Sequence, residues 1–333
     1  MVFGGIFIPH IKDTKFLTIY QSICYKVFNN LRLSLPYLFR DIFKILLTLS
    51  MKHIIITTLL LLVAACSMAS AQETYEMKYK GSVRTYCMYI PESLKAGAPL
   101  VVYAHGYGSS NLWREDLNEA AERHGFAVCY PKGSPDTKGK PGWFVGYPSQ
   151  SNMDRHEEKF LAALLKEVCK RFNLSRENVF LTGMSNGGDL CYQIIYTKPD
   201  LFKAYASVAG LTFEYAYKNK LTKPVSLLEI HGNDDHTSMW MGDHGNTGGW
   251  GPYIPVPLAV AAIAANNRCT TMSASSMPSK ADPDRSIDIT TYGGSQSGKD
   301  VVLYEVEGGK HSWHDKDVDT GEIIISFFSR FVE

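Results

Sequence analysis

The sequence predicts an α/β fold in which a mostly parallel sheet is covered by helices on both faces. Short, mostly apolar segments alternate with helix-length segments from about residue 75 onward, as in strands joined by helical crossovers. No internal repeat and no Pro/Ser-rich linker interrupts residues 75–333. Of the 333 residues, 45% are hydrophobic and 20% are charged, so the chain can bury a substantial core. We therefore expect one domain over residues 75–333.

The predicted elements follow one another along the chain. Helical spacing of apolar residues predicts helices over residues 116–126, 154–174 and 188–196, with Asp154 as the N-cap of the second. Six short apolar segments are predicted strands. They are "PLVVYAHG" at 99–106, "AVCYPKG" at 127–133, "NVFLTGM" at 178–184, "KAYASVAGL" at 203–211, "VSLLEIHG" at 225–232 and "DVVLYEVEGG" at 300–309.

The segment before the domain predicts export. Residues 51–71, "MKHIIITTLLLLVAACSMASA", begin with a basic stretch, continue with a short apolar run and end in small residues. This is the layout of a secretory signal, and the run is too short to span a bilayer. Ala69-Ser70-Ala71 fits an ordinary cleavage site, whereas Val63-Ala64-Ala65-Cys66 resembles a bacterial lipobox with a lipid anchor on Cys66. We expect a secreted, periplasmic or outer-membrane lipoprotein of a bacterium.

Residues 1–50 have an irregular composition without a domain pattern, and we interpret them as an upstream or unstructured extension. An alternative is a membrane-anchoring region over about residues 37–65, although charged residues interrupt it.

Charge and cysteine content narrow the possible functions. The formal net charge is +1, which provides no overall attraction to nucleic acid. Residues 75–333 contain five cysteines without CxxC or zinc-like spacing, at positions 87, 129, 169, 191 and 269. At most two disulfides can form, and a cysteine-based metal site is not indicated.

One short motif indicates nucleophilic chemistry. Gly183-Met184-Ser185-Asn186-Gly187 matches G-x-S-x-G, directly after a predicted strand and before a predicted helix. In such a strand-turn-helix the serine backbone is strained, and glycines on either side prevent collisions. The turn holds the Ser185 hydroxyl clear of the end of the sheet, although serine is a weak nucleophile without a neighbouring base.

The required partners follow in the order Ser, Asp, His that α/β-hydrolases use, each after a predicted strand. Asp234 and Asp235 follow "VSLLEIHG", and both remain candidates for the acid. His311 and His314 follow "VVLYEVEGG", and we favour His311 because it follows the Gly308-Gly309 turn, where a loop can bend the imidazole back toward the serine. In this arrangement the histidine removes the serine proton and the aspartate orients the imidazole.

The negative charge that develops on an ester oxygen needs backbone N–H donors. In this architecture one donor belongs to the residue after the nucleophile, Asn186. The other belongs to the loop after an early strand, where "AHGYG" places Tyr107 between two glycines.

Four blocks, "VVYAHGYG", "GMSNGG", "HGNDD" and "GGKHSW", occur in this order over roughly residues 75–333. In this the chain resembles the α/β-hydrolases that include polyhydroxybutyrate depolymerase-like proteins and the carbohydrate esterases acting on acetylated or feruloylated xylan. The resemblance implies a triad of Ser185, Asp235 and His311, because the family's carboxylate lies four residues after His231. It also implies an oxyanion block around Tyr107.

The chain departs from the family pattern at two places. Tyr107 stands where depolymerase-like members often carry cysteine, and Lys310 and His314 alter the last block. A long Gly/Trp-containing loop at 236–256 follows the predicted acid, where such loops often shape a cleft. Tryptophan faces suit a sugar ring or a feruloyl group, and we predict substrate contacts for Trp143, Trp240 and Trp313, with Trp250 as a further candidate and ordinary packing as the alternative.

We therefore predict an exported serine esterase, most suited to acetyl or feruloyl esters of plant cell-wall polysaccharide. One alternative is a hydroxyalkanoate depolymerase or oligomer hydrolase, and another is a non-catalytic carbohydrate-binding protein on the same fold. No cofactor is expected. Histidines and aspartates cluster at 231–244, but they form no helical H-x-x-x-H pair, and so no metal is expected.

Overall fold

A computed structural model describes residues 73–333 of the chain. These residues fall within one compact unit, Gln72–Glu333. The predicted upstream extension, the signal segment 51–71 and the lipid site at Cys66 lie outside the described residues. None of the helices in the described part is long and apolar enough to cross a membrane.

The described residues contain twelve strands and six helices, together with a 3₁₀ turn at Pro148–Gln150. The strands are β1 (Thr74–Tyr79), β2 (Ser82–Tyr89), β3 (Leu100–Ala104), β4 (Ala127–Pro131), β5 (Ser134–Pro135), β6 (Pro141–Gly142), β7 (Val179–Met184), β8 (Ala204–Val208), β9 (Ser226–Gly232), β10 (Thr271–Pro278), β11 (Ser286–Gly293) and β12 (Val301–Val306). The helices are α1 (Glu115–His124), α2 (Glu157–Arg171), α3 (Asn186–Thr197), α4 (Glu214–Tyr217), α5 (Val256–Asn266) and α6 (Thr320–Ser329).

Ten of the strands form one sheet in the order β1-β2-β4-β3-β7-β8-β9-β12-β11-β10. The six central strands, from β4 to β12, pair in parallel. Antiparallel hairpins extend the sheet at both edges. Because the central strands are parallel, their carboxyl ends share one edge, and the loops leaving that edge lie close together.

Helices cover both faces of the sheet, and side chains alternate between them along each strand. On β3, Leu100 and Val102 point into a core formed with α2, α3 and α5, whereas Val101 and Tyr103 point into a second core formed with α1 and α6. The predicted fold class, a mostly parallel sheet with helices on both faces, is confirmed.

The structure contains more strands and helices than were predicted, and two of the differences concern α2 and an exposed hairpin. Helix α2 begins at Glu157, later than predicted, and its N-cap is His156. Asp154 is therefore not the cap, although its Oδ1 accepts the His156 N–H at 3.1 Å. The hairpin of β10 and β11 was not predicted, because every residue of β10 is exposed and the strand lacks an apolar face.

Candidate active site

The nucleophile candidate, Ser185, occupies the turn between β7 and α3. Its backbone has φ 55° and ψ −122°, a region that non-glycine residues rarely adopt. The neighbouring backbone is too close for side chains, since a Cβ on Gly187 would lie 1.9 Å from the Ala104 carbonyl oxygen and one on Gly183 would lie 2.5 Å from Gly187. The tight turn thus accounts for both glycines of the motif and places Ser185 at the carboxyl edge of the sheet.

Two other predicted residues meet Ser185 at this edge. His311 Nε2 lies 3.0 Å from Ser185 Oγ, and His311 Nδ1 lies 2.7 Å from Asp235 Oδ2. A carboxylate only accepts hydrogen bonds, so Nδ1 carries the proton and Nε2 is free to accept from the hydroxyl. The three side chains form a continuous series of hydrogen bonds from a buried acid to an accessible alcohol.

Asp235 is fixed on both of its oxygens. Its Oδ1 accepts the backbone N–H groups of Thr237 and Ser238 at 2.7 and 2.8 Å. Burial by itself raises the pKa of Asp235, but the hydrogen bond and charge of His311 and the Ser238 N–H outweigh it, and the pKa is lowered. Asp235 is therefore ionised and oriented toward the imidazole at neutral pH.

The rival residues lie elsewhere. The Asp234 side chain is 43% exposed and pairs with Lys310 and with His236. His314 is buried, and its Nδ1 faces Asp317 at 3.3 Å. Of the paired alternatives left by the sequence, only Asp235 and His311 contact one another.

The loop after β3 carries the predicted oxyanion donor Tyr107. Gly133 N–H donates to His105 Nε2 at 2.9 Å, so the proton of this imidazole is on Nδ1, which donates to the Gly106 carbonyl at 2.7 Å. In a trans peptide the Gly106 C=O and the Tyr107 N–H point in opposite directions. His105 therefore directs the Tyr107 N–H away from its own ring. Burial lowers the pKa of His105 and keeps it neutral.

The second predicted donor, Asn186, is the first residue of α3. Helix starts leave their first N–H groups without intrahelical partners, and within residues 73–333 neither Asn186 N–H nor Tyr107 N–H has a hydrogen-bond partner. Gly106 lies against the nucleophile, since a Cβ there would be 3.5 Å from Ser185 Cβ. Both free donors thus belong to backbone next to the serine.

A pocket of about 360 Å³ opens onto Ser185 and His311. Its walls include the Trp113 ring, Met184 and Arg114. A larger groove of about 540 Å³, between the 3₁₀ turn and α4, contains neither Ser185 nor His311. We place the chemistry in the smaller pocket, because only there does a hydroxyl face a base.

The predicted tryptophan contacts need correction. Trp143 is 0% exposed and Trp313 is 2% exposed, because the first is packed beneath the loop that carries Tyr107 and the second between α1 and the sheet. Neither ring can meet a substrate in this structure. Trp240 is half-buried against the His231 ring, 5.9 Å between centroids, and does not line the pocket at Ser185.

Trp113 is the tryptophan that lines this pocket, and it was not predicted. Its Nε1–H donates to Glu115 at 2.9 Å, which holds the ring at the start of α1. Trp250 is half-buried against Tyr107, 5.7 Å between ring centroids. In the sequence, Trp113 is recognisable only as a loop residue after an early strand. Many residues that pack in the core share that position, so only the pocket identifies Trp113.

Two further observations concern metals and thiols. Among residues 73–333, no three His, Cys, Asp or Glu side chains are grouped as a metal site requires. All five cysteines of this region are free thiols, and Cys169 and Cys191 are buried.

Comparisons with known proteins identify the class. Residues 84–225 match the family described as esterase PHB depolymerase. The chain is a carboxylic ester hydrolase. A protein of Nocardia uniformis subsp. tsuyamanensis named as the esterase NocK is 27% identical to this esterase over 255 residues, which are 72% of this chain and 73% of that protein.

The names of two further relatives include a substrate. Feruloyl esterase B of Thermothelomyces thermophilus is 27% identical over 50% of this esterase and 57% of that protein. The bifunctional acetylxylan esterase/xylanase XynS20E of Neocallimastix patriciarum is 27% identical over 47% of this chain and 22% of that protein. This esterase thus matches little more than half of the first relative and less than a quarter of the second.

Solved structures agree on the fold. An acetyl xylan esterase from Aspergillus awamori superposes with a TM-score of 0.53 at 17% identity, covering 78% of this esterase and 100% of that chain. An S-formylglutathione hydrolase from Agrobacterium tumefaciens also gives 0.53, at 14% identity, over 78% and 95% of the two chains. At these identities the likeness establishes the α/β-hydrolase fold. Together with the family match and the relatives named as esterases, it identifies a carboxylic ester hydrolase.

Proposed function

We propose that this esterase cleaves acetyl or feruloyl esters of plant cell-wall polysaccharide through an acyl-enzyme on Ser185. His311 is the general base and acid, and Asp235 orients it. The observation that carries the proposal is the position of His311, which spans 3.0 Å to the serine hydroxyl and 2.7 Å to a buried carboxylate beside an open pocket.

The roles follow from the hydrogen bonds. His311 Nε2 accepts the Ser185 proton while Oγ attacks the ester carbonyl carbon, and the resulting imidazolium is stabilised by Asp235. The imidazolium then protonates the leaving sugar oxygen as the C–O bond breaks. Water repeats the sequence: His311 takes its proton, the hydroxide attacks the acyl carbon, and the proton returns to Ser185 as the acid leaves.

The negative charge on the carbonyl oxygen is met by two backbone donors in this proposal. Tyr107 N–H and Asn186 N–H have no other partner within the described residues, and they belong to segments on either side of Ser185. Fixed donors of this kind stabilise the tetrahedral intermediates more than the substrate, because the charge develops only during reaction.

The substrate class rests on the relatives and on the pocket. Curated relatives are named acetylxylan esterase and feruloyl esterase. The pocket of about 360 Å³ is near the lower end of the usual range for small-molecule sites, roughly 300–1,000 Å³. Such a pocket suits an acyl group while the polysaccharide remains outside. Export through the signal segment 51–71, with or without a lipid on Cys66, agrees with a substrate that lies outside the cell.

Hydroxyalkanoate esters are the second candidate, because the matching family is described as PHB depolymerase. The same serine chemistry applies to them, and only the acyl and alcohol parts differ.

Turnover of p-nitrophenyl acetate by wild type and Ser185→Ala tests the mechanism. We expect Ser185→Ala to lower kcat by on the order of 10⁵-fold or more, as for loss of a serine nucleophile elsewhere. Ser326→Ala is the matched control, since Ser326 is exposed on α6 and bonds only to Glu322. Near-normal turnover by Ser185→Ala would refute the proposed nucleophile.

A panel of methyl ferulate, acetylated xylan and hydroxybutyrate oligomers tests the substrate class. We expect the largest kcat/KM for one of the first two. Activity confined to the hydroxybutyrate oligomers would replace our preferred substrate with the second candidate while leaving the mechanism intact.

A further inference from the structure

We propose that Trp143 is a positioning residue that ties together the two backbone segments supplying the oxyanion donors. The inference rests on the proposed function, since it concerns how Tyr107 N–H and Asn186 N–H are held. Trp143 follows β6, far along the chain from both. Its ring is fully buried, so it acts through these segments and not on the substrate.

The first link joins Trp143 to the loop that carries Tyr107. The indole Nε1–H donates to the His105 carbonyl at 3.0 Å. The neighbouring Pro141 carbonyl accepts the Gly108 N–H at 2.7 Å. Residues 141–143 therefore hold the oxyanion loop by its backbone on both sides of Tyr107.

The second link joins Trp143 to the residue after the nucleophile. The Trp143 N–H donates to Asn186 Oδ1 at 2.7 Å, and Asn186 Nδ2 donates to the Trp143 carbonyl at 3.0 Å. These two bonds fix the side chain of Asn186 in one orientation. Because Asn186 starts α3 directly after Ser185, they also fix the start of the helix whose N–H is the second donor.

The hydrogen bonds from residues 141–143 to His105, Gly108 and Asn186 together form a clamp. This clamp has little freedom to shift. A Cβ on Gly142 would lie 2.9 Å from Asn186 Oδ1 and 3.3 Å from a Tyr107 ring carbon, so this backbone passes directly between the two donor residues. The Trp143 ring is held between His105 and Phe160, with centroid distances of 5.3 and 6.3 Å. Gln150 Nε2 adds a bond to the Trp143 carbonyl at 2.6 Å.

This arrangement has a kinetic consequence. Donors that are already in place stabilise a developing charge without reorganisation. If the donors drift, the ground-state substrate binds about as before, whereas the transition state loses stabilisation. Loosening the clamp should therefore lower kcat and leave KM nearly unchanged.

The test compares Trp143→Phe with Tyr205→Phe. Each removes one buried aromatic donor to a backbone carbonyl, because Tyr205 OH donates to Pro199 O at 3.0 Å near the start of β8, away from the site. We expect Trp143→Phe to lower kcat by about 10-fold, less than the 10²–10³ lost when a donor is removed outright. KM should stay within about 2-fold, since uniform binding is unaffected.

Inhibition by a trifluoromethyl ketone provides a measurement that a loss of stability alone does not change. The adduct of the ketone with Ser185 carries an oxyanion. In Trp143→Phe the inhibition constant of the ketone should therefore rise in parallel with the fall in kcat. Tyr205→Phe should lose stability to a similar degree, with kcat and the inhibition constant unchanged. Burst titration gives the active fraction of each variant, so partial unfolding does not imitate the effect.

Asn186→Ala provides a second approach that keeps the backbone donor. It should repeat the fall in kcat, and the double variant with Trp143→Phe should lose less than the product of the two single effects, because both cut the same clamp. If Trp143→Phe matches Tyr205→Phe while Ser185→Ala is inactive, the clamp is wrong and the proposed function stands. If Ser185→Ala retains activity, the proposed function itself fails.

Discussion

Two histidine–carboxylate pairs lie side by side at the carboxyl end of β9, and they differ in what the second ring nitrogen faces. His311 Nδ1 bonds to Asp235 at 2.7 Å, and His231 Nδ1 bonds to Glu229 at 2.9 Å. His311 Nε2 then meets the Ser185 hydroxyl, whereas His231 Nε2 meets the Ser238 carbonyl at 2.8 Å. A hydroxyl can give up a proton, but a carbonyl can only accept one.

The inner pair, His231 and Glu229, therefore holds its proton. His231 Nε2 must carry a hydrogen for the Ser238 carbonyl, and both side chains are fully buried. Burial raises the pKa of Glu229. Burial by itself lowers the pKa of His231, but the hydrogen bond and charge of Glu229 outweigh it and raise that pKa. One proton is shared within the pair, and no substrate reaches it.

The outer pair, His311 and Asp235, differs in the solvent access of the imidazole and in the group that its second nitrogen faces. The His311 side chain is 22% exposed and lines the pocket with Ser185. A carboxylate beside an imidazole thus does not by itself make a base. What makes one is an accessible second nitrogen that faces an ionisable hydroxyl.

Breaking the outer pair should have the largest effect. We expect Asp235→Asn to lower kcat by on the order of 10⁴-fold, as for the equivalent change in a serine protease. The amide oxygen would keep the Thr237 and Ser238 N–H groups, so the NH₂ would face His311 Nδ1 and force the proton onto Nε2. That nitrogen could no longer accept from Ser185. Steady-state kinetics on p-nitrophenyl acetate measure the change.

Asp234→Asn is the matched control for that change, because it alters the neighbouring residue in the same way. It should change kcat by less than about 3-fold, since Asp234 pairs only with the exposed side chains of Lys310 and His236 and such surface pairs contribute little. A larger loss for Asp234→Asn than for Asp235→Asn would reverse the assignment of the acid.

Breaking the inner pair should mainly affect stability. His231→Phe keeps a ring but leaves Glu229 buried without its proton partner, and we expect a loss of roughly 3–5 kcal/mol in the free energy of unfolding. Urea unfolding measures it, with the exposed His236→Phe as control. The folded variant should keep kcat within about 10-fold of wild type. An unchanged urea midpoint would show that the inner pair does not stabilise the fold.

A smaller effect is expected in the pH dependence of stability. The pKa of Asp235 is lowered from 3.8 in the folded protein, so the folded state favours the ionised form. Its contribution is fully present well above pH 3.8 and is lost as pH falls through the folded pKa. The unfolding free energies of wild type and Asp235→Asn should therefore converge between about pH 5 and pH 2. Parallel curves over that interval would contradict the lowered pKa.

Much of the site follows from local pattern. The G-x-S-x-G turn marks Ser185 because its geometry depends on five consecutive residues, and the Gly-Gly turn marks His311 because a loop must bend there. The residues by themselves left Asp234 and Asp235 open, since neighbouring residues differ in which way the turn points them. The family resemblance favoured Asp235, and the observed contact with His311 distinguishes the two.

The tryptophans show where pattern fails. Trp143 and Trp313 were predicted at the substrate and are buried, whereas Trp113, which was not predicted, lines the pocket. A tryptophan suits a core and a binding face equally well. Which one it serves depends on elements far away in the chain, such as α3 for Trp143. The exposed hairpin strand β10 was missed for a related reason, because a strand without a buried face carries no alternating pattern.

The sequence by itself determined the α/β class, the strained serine turn and the chain order of serine, aspartate and histidine, because each depends on residues close together or on a periodicity that burial imposes. The tertiary structure decided which aspartate meets the imidazole, which histidine is accessible and which tryptophan bonds to the segments of Tyr107 and Asn186. Those outcomes depend on where loops from β3, β7, β9 and β12 converge, and side-chain contacts between distant segments are set only when the sheet assembles.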